Sequence, residues 1–532
     1  MTLSTVDLIV VIIYAIGIFG LAQWVAREKP GHQKDSSDYF LASKALPWWA
    51  IGSSLIAANI SAEQIVGMSG SGYALGLAIA SYEWLAAVTL LIVAKFFLPI
   101  FLRNEIYTMP QFLEQRYGPS IRTLMAIFWL ILYVFVNLTS IIWLGSIAVN
   151  QVAGVDQDLA LYILAGFALL YQLYGGLKAV ALTDIVQVTL LVLGGLMVSG
   201  LTLSEIGGDA GIIGGFTTLT ERAPEHFDMI LSPDNPFYKD LPGITVLVGG
   251  MWIAHLSYWG FNQYIIQRAL AAKSLKEAQK GMVFAAYLKL LMPFVIVLPG
   301  IAAVLLAPGL EKPDQAYPTM MRLLPPGLLG LVFAALIAAI IASTASKINS
   351  IATIFTLDLY AKFTGQKTKA EDDVTAGAGR EARLVLTGRI TAVVAVILAA
   401  FTARPLLGAS DQAFQFIQEF TGFFTPGITV IFLMGLFWKR ANEAGAIAAA
   451  MASVILSYAG KQFLPGLPFL DRMGLVFLVA LALAVLISLM VPARADANRI
   501  ITSDISYRTS PTFNMAGLGV VLLLIAFYAT WW

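Results

Sequence analysis

The sequence predicts an all-α polytopic membrane protein of fourteen transmembrane helices, and three observations predict it. Hydrophobic residues make up 58% of the 532 residues and charged residues only 12%, against about 25% charged in an average soluble domain. That apolar excess cannot be hidden in one soluble core, so lipid must solvate much of it. The apolar residues fall into fourteen runs, near 4–26, 46–70, 75–102, 122–150, 158–178, 184–205, 243–267, 277–307, 328–361, 384–403, 413–438, 443–463, 470–491 and 514–531. Each is long enough for a membrane helix of about 20 residues, and none alternates as a membrane β-strand does. Finally, Lys and Arg gather in every second loop, as cytoplasmic loops require.

The first run is read as a span and not a cleaved leader, because Asp7 stands where a basic segment should precede the apolar stretch. The following loop holds Arg27, Lys29, Lys34 and Lys44, and alternate loops continue with residues such as Arg103, Arg116, Arg268, Lys273, Lys362, Arg383, Lys439, Arg440 and Arg494. The opposite loops carry only Arg222, Lys239, Lys312, Arg322, Arg404, Lys461 and Arg472. Both termini are therefore expected on the extracytoplasmic side of the cell (inner) membrane. The loop 206–242, rich in Asp and Glu, falls on that outer side, and the polar stretch 362–383 reads as a linker. The net charge of +1 gives nucleic acid no basic surface to bind. There is no cysteine, and His32, His226 and His255 have no metal-ligand spacing.

Two runs are broken by polar or flexible residues. Ala57-Ala58-Asn59-Ile60-Ser61-Ala62-Glu63-Gln64 lies in the middle of the second run, and a second interruption lies between Gly249 and Tyr264. Unpaired polar groups are costly in hydrocarbon, and paired interrupted helices in two halves of a chain mark a transporter's binding site. Ionisable residues inside spans are functional candidates for the same reason. Lys289 sits too deep in 277–307 to reach the interface, so it needs a partner or a polar cavity. Lys95 is read as snorkelling, and Lys347 is left without a role. Glu83, in Ser81-Tyr82-Glu83-Trp84, suits the recognition of neutral hydroxyls, since a carboxylate accepts several strong hydrogen bonds. Glu63 is read either as a second such acid or as the residue that closes the gap in the broken helix. Tyr258 and Trp259 offer flat faces to a sugar ring, although most aromatics in such a chain simply pack. Ser343, Thr344 and Ser346 form a hydroxyl cluster that, with carbonyls freed at a helix break, could hold Na⁺; such small-residue stripes more often serve close packing.

These same residues resemble the sodium:solute symporter family, in its sodium/glucose cotransporter branch and most nearly its bacterial galactose-transporting members. The resemblance runs from about residue 40 to 440, through Leu55–Gln64, Ala80–Trp84, Tyr174–Leu177, Thr183-Asp184, Tyr258–Gln263 and Gln415–Glu419. It implies a leucine-transporter-like fold of two inverted five-helix repeats with broken first helices, here 46–205 and 243–438. The loop 206–242 would join them, and additional helices would follow in 439–532, all within one transmembrane domain. It implies that Gln64, Glu83, Lys289, Gln418 and nearby Asn59 bind sugar hydroxyls, that Tyr258 closes the site from inside, and that Met68, Tyr82 and Phe414 cover it from outside. Na⁺ would rest on the carbonyls of Ala57, Ile60 and Ala339 and the hydroxyl of Ser343.

The chain departs from that pattern in three places. Ala86 and Ala342 stand where serines are expected, Ala342 costing the Na⁺ site a hydroxyl. His255 stands where a sugar-facing Asn is expected. Asp184 and Ser346 match parts of a second Na⁺ site, whereas Ala345 does not. The expected partners are thus a small sugar, sodium ion and membrane lipid, in a monomer or weak oligomer. The same machine could serve another solute, of sialic acid, proline or pantothenate type, or a sugar sensor; the residues offer no nucleophile–base pair for an enzyme.

Overall fold

The computed structural model describes residues 3–26, 46–106, 108–174, 177–364, 377–410, 412–492, 500 and 505–532. Most of the stretch expected to be a linker at 362–383 lies outside them. Within them, helix occupies each of the fourteen apolar runs, and no strand is formed. Among the described residues, nine stretches are both long and apolar enough to cross a bilayer. A tenth is the pair Ala413–Thr421 and Thr425–Phe437, bent by 47° at a short break, where Pro426 opens the second helix. Length and apolarity alone therefore do not establish fourteen crossings. The loop 206–242 is also more ordered than its composition suggests: Gly211–Arg222 is a helix folded back on Leu177–Gly207. Its Gly215 lies so close that a Cβ there would be 1.7 Å from the Leu203 carbonyl oxygen.

The surface is inverted relative to a soluble protein. Ile13, Phe167, Phe401 and Met490 point outward, while Glu83, Lys289, Arg116 and Lys347 are buried. With so little difference between lipid and an apolar side chain, helices associate here by close packing and interior polar contacts.

Both interruptions are real breaks. The helix Trp48–Asn59 ends where Ile60 turns extended (φ −68°, ψ 115°), and a π-helical stretch Glu63–Met68 follows before Ser69–Leu75. In the second half the π-helical stretch Leu256–Phe261 comes first, then extended Asn262 (φ −80°, ψ 121°), then the helix Gln263–Leu270. At the first break the Ile60 N–H still reaches the Ile56 carbonyl at 2.8 Å. The carbonyls that follow, beginning with Ala57, lose that regular partner, as at any helix end.

One helix, Leu275–Leu306, lies along both sides of the first break. Near one end a Cβ on Gly281 would be 2.8 Å from the Ile51 Cβ; near the other, a Cβ on Gly300 would be 2.1 Å from the Ser69 carbonyl oxygen. Lys289 lies between these contacts, about 12 Å along the axis from Gly281 at 1.5 Å per residue, and so is held level with the break. Pro293 lacks the amide that would bond to the Lys289 carbonyl, loosening the helix at that turn. The Trp84 indole donates to the Leu290 carbonyl at 3.2 Å, fixing the helix Ser81–Ile92 one residue from Glu83.

Because Gly300 meets backbone, which cannot step aside, Gly300→Val should destabilise the protein by about 3 kcal/mol or more. Thermal unfolding in detergent should show a clearly lowered midpoint, while Gly17→Ala, where a Cβ meets nothing within 4 Å, should leave it unchanged.

Candidate functional site

The breaks, together with Lys289 and Glu83, surround one cavity. The Lys289 ammonium donates to both Glu83 carboxylate oxygens, at 2.8 and 2.6 Å, and to the Asn59 side-chain oxygen. All three of its donors are thereby used, and its charge also lies 4.9 Å from the centre of the Trp259 ring. Both members of the pair are buried, with side-chain exposures of 1% and 3%. Asn59 passes the network on: its amide donates to the Tyr258 hydroxyl at 3.1 Å, and Tyr264 donates to the same oxygen at 2.8 Å. Tyr258 is thus tied to both broken helices. The second break is covered by Tyr133, which donates to the Asn262 side-chain oxygen at 2.9 Å.

All the expected sugar-facing and gating residues line this one cavity: Asn59, Gln64, Met68, Tyr82, Glu83, His255, Tyr258, Lys289, Phe414 and Gln418. Its volume open to the centre of a water-sized sphere is about 110 Å³. Tyr82 meets Phe414 edge-on at 5.2 Å and His255 at 6.3 Å. The His255 Nε2 is buried without a hydrogen-bond partner among the described residues, so the side chain has an unused polar atom at the cavity wall. Gln64 accepts from Ser61 at 3.2 Å and keeps its amide donors. Glu83 accepts once on each oxygen from Lys289 and keeps lone pairs to spare.

For four acids and aromatics the structure adds what the sequence did not show. Glu63 also lines the cavity, but its carboxylate is bonded by the Ser140 hydroxyl at the start of the helix Thr139–Ala153. Glu419 faces away, held by Lys461 at 2.9 Å and Arg472 at 2.6 Å. Tyr264 and Tyr133, which the sequence did not single out, hold the second broken helix in place. Ala86 is buried but does not line the cavity.

A second, smaller cavity lies beside Tyr264. Ala57, Ala58, Ala342, Ser343, Ser346, Lys347, Arg268 and Tyr264 line it, with about 10 Å³ open to the centre of a water-sized sphere. The structure therefore brings Ala57, Ser343 and Ser346 together. Ile60 and Ala339 are buried nearby in sequence but do not line this space. The Asp184 side chain lies outside the described residues. Among the described residues no group of three or more His, Asp or Glu converges, so an ion here would rest on carbonyl and hydroxyl oxygens, the hard ligands that suit Na⁺.

The sodium:solute symporter family profile matches residues 39–453. The chain belongs to that family. It is 48% identical to a sodium/glucose cotransporter of Vibrio parahaemolyticus, over all of this chain and 99% of that one. It is 32% identical to mouse sodium/myo-inositol cotransporter 2, over 86% of this chain and 70% of that one. Sheep sodium/glucose cotransporter 1 is 31% identical, over 83% and 69%. In structure, a Na⁺-coupled sialic acid symporter in its substrate-bound outward-open state aligns with a TM-score of 0.75 over 92% of this chain and 99% of that one, at 22% identity. The nucleobase-cation symporter Mhp1 in a closed conformation aligns at 0.53 over 87% and 98%, at 14% identity. The fold is therefore the leucine-transporter-like one expected, and the protein is a multi-pass membrane transporter and not an enzyme.

Removing one member of the central pair strands a buried charge, at about 3–5 kcal/mol, whereas removing both leaves little penalty. Glu83→Gln and Lys289→Met should each lower the unfolding midpoint markedly, and the double variant should recover most of the loss. Neither the singles nor the double should transport, and comparing thermal unfolding with uptake checks both halves of the expectation.

Proposed function

We propose that this symporter carries a neutral hexose, glucose or galactose, into the cell together with Na⁺ by alternating access. The observation that carries the reading is the cavity around Glu83 and Lys289. The two charges neutralise each other, yet Glu83, Gln64, His255 and Gln418 still offer hydrogen-bonding capacity, and Trp259 and Tyr258 supply ring faces. That combination suits a polyol with an apolar C–H face. A carboxylated solute of the sialic acid type would need a free cation; here the lysine is consumed by Glu83, and Glu63 adds a further acid to the wall. The names of the most similar relatives, sodium/glucose cotransporters among them, support the same choice.

In this reading Gln64, Glu83, Lys289, Gln418, Asn59 and His255 hold the hexose, with Tyr258 beneath it and Met68, Tyr82 and Phe414 above. Na⁺, as co-transported cargo, sits among Ala57, Ile60, Ala339 and Ser343, one ion per sugar, with Ala342 supplying no hydroxyl; Asp184 and Ser346 match parts of a second position, from which Ala345 departs. The repeats 46–205 and 243–438 move against each other around these sites. Both termini face away from the cytoplasm of the inner membrane, and the working unit is a monomer or weak oligomer.

The test is uptake of a labelled solute panel into proteoliposomes. An inward Na⁺ gradient should drive glucose or galactose accumulation, enhanced by negative internal potential because a cation accompanies a neutral sugar. Full uptake in Na⁺-free buffer under a proton gradient, or uptake of amino acids instead of hexoses, would refute the proposal. In the same vesicles His255→Asn should shift the glucose-to-galactose ratio by several-fold, the size of one hydrogen bond of about 1 kcal/mol; an unchanged ratio would place His255 outside the sugar shell.

A further inference from the structure

The small cavity beside Tyr264 contains a cation that the proposed function leaves without a role. Lys347 lies one turn beyond Ser343 on the helix Leu328–Thr353, is 4% exposed, and lines the same space as Ala57 and Ser343. Among the described residues it has no ion pair. Its ammonium instead rests 4.0 Å from the centre of the Tyr264 ring and 6.0 Å from that of Tyr133. The guanidinium of Arg268 also borders the cavity but is engaged, donating to the Ser54 hydroxyl at 3.0 Å and to the Tyr264 carbonyl. The Glu63 carboxylate is bonded by the Ser140 hydroxyl. The open space, about 10 Å³ for water-sized centres, is roughly that of one water. That is room for a single small particle: a water, a Na⁺ ion, or the tip of the lysine.

We propose that Lys347 is a tethered cation that competes with Na⁺ for the cavity lined by Ala57 and Ser343, so that Na⁺ enters only when the ammonium withdraws onto the Tyr264 ring. The inference rests on the ion-site reading given above and adds a regulator to it. Two like charges a few ångströms apart in a partly buried site repel strongly, and the Tyr264 and Tyr133 faces offer the displaced ammonium a favourable resting place. Position gives the competition a consequence, because the same Tyr264 donates its hydroxyl to Tyr258 at the floor of the sugar cavity. Lys347 thereby sets the Na⁺ concentration at which the symporter works, and it does so without touching the sugar.

The test measures half-saturating Na⁺ for hexose uptake into proteoliposomes, at saturating hexose, in wild type, Lys347→Met, Lys347→Arg and Ser343→Ala. Lys347→Met keeps length and removes charge, so half-saturating Na⁺ should fall about tenfold or more. Lys347→Arg keeps the charge and should leave the value unchanged or raise it, and it remains informative if the methionine variant does not fold. Ser343→Ala should raise the value. An unchanged or higher requirement in Lys347→Met, or a gain in Lys347→Arg, would overturn the competition while a raised requirement in Ser343→Ala left the ion site standing. An unchanged requirement in Ser343→Ala would overturn both.

Discussion

A helix can stop in the middle of a bilayer only where something other than lipid receives its loose backbone. This constraint organises the whole symporter. The first break, at Ile60, is enclosed by the helix Leu275–Leu306, which approaches through Gly281 and Gly300 and presents Lys289 between them. The second, at Asn262, is covered by the Tyr133 hydroxyl. The carbonyls that the first break releases and the side chains that enclose it are the same groups that can bind cargo. Site and scaffold are therefore one structure, and the polar cavities exist because the helices are broken.

The buried Glu83–Lys289 pair is expensive, since both charges leave water and their attraction does little more than offset that cost. A hydrophobic pair of similar volume would hold the helices together equally well. What the charged pair provides is a cavity that is polar yet internally balanced, with Asn59 drawing Tyr258 into the same network. Such a wall favours solutes with many hydroxyls and no net charge. It also links the two broken helices by hydrogen bonds through Asn59, Tyr258 and Tyr264.

Much of this was legible in the sequence. Asn59, Gln64, Glu83 and Lys289 stand out because each is polar in an apolar run, where a cost must have a reason, and the structure brings all of them to one cavity. Resemblance placed Met68, Phe414 and Gln418, which carry no such signal on their own. Tyr264 was not legible: one tyrosine among 19 has no marking in the sequence, and its importance comes from where the second break turns it. Glu419 shows the converse, an acid whose partners Lys461 and Arg472 arrive from later helices. The small cavity was half legible: the hydroxyl cluster of Ser343, Thr344 and Ser346 was a weak sign by itself, the resemblance singled out Ser343, and neither could tell that Lys347 would share the space. The helix Gly211–Arg222 was hidden by its glycines, which look like loop and serve close packing.

If the two cavities are coupled through the broken helices, their ligands must help each other bind by the same factor in both directions. Equilibrium binding of labelled hexose to the purified protein across a range of Na⁺ concentrations measures this without transport. The account predicts that hexose affinity rises as Na⁺ is added, and that hexose raises Na⁺ affinity by an equal factor. Hexose affinity that is the same with and without Na⁺ would contradict it.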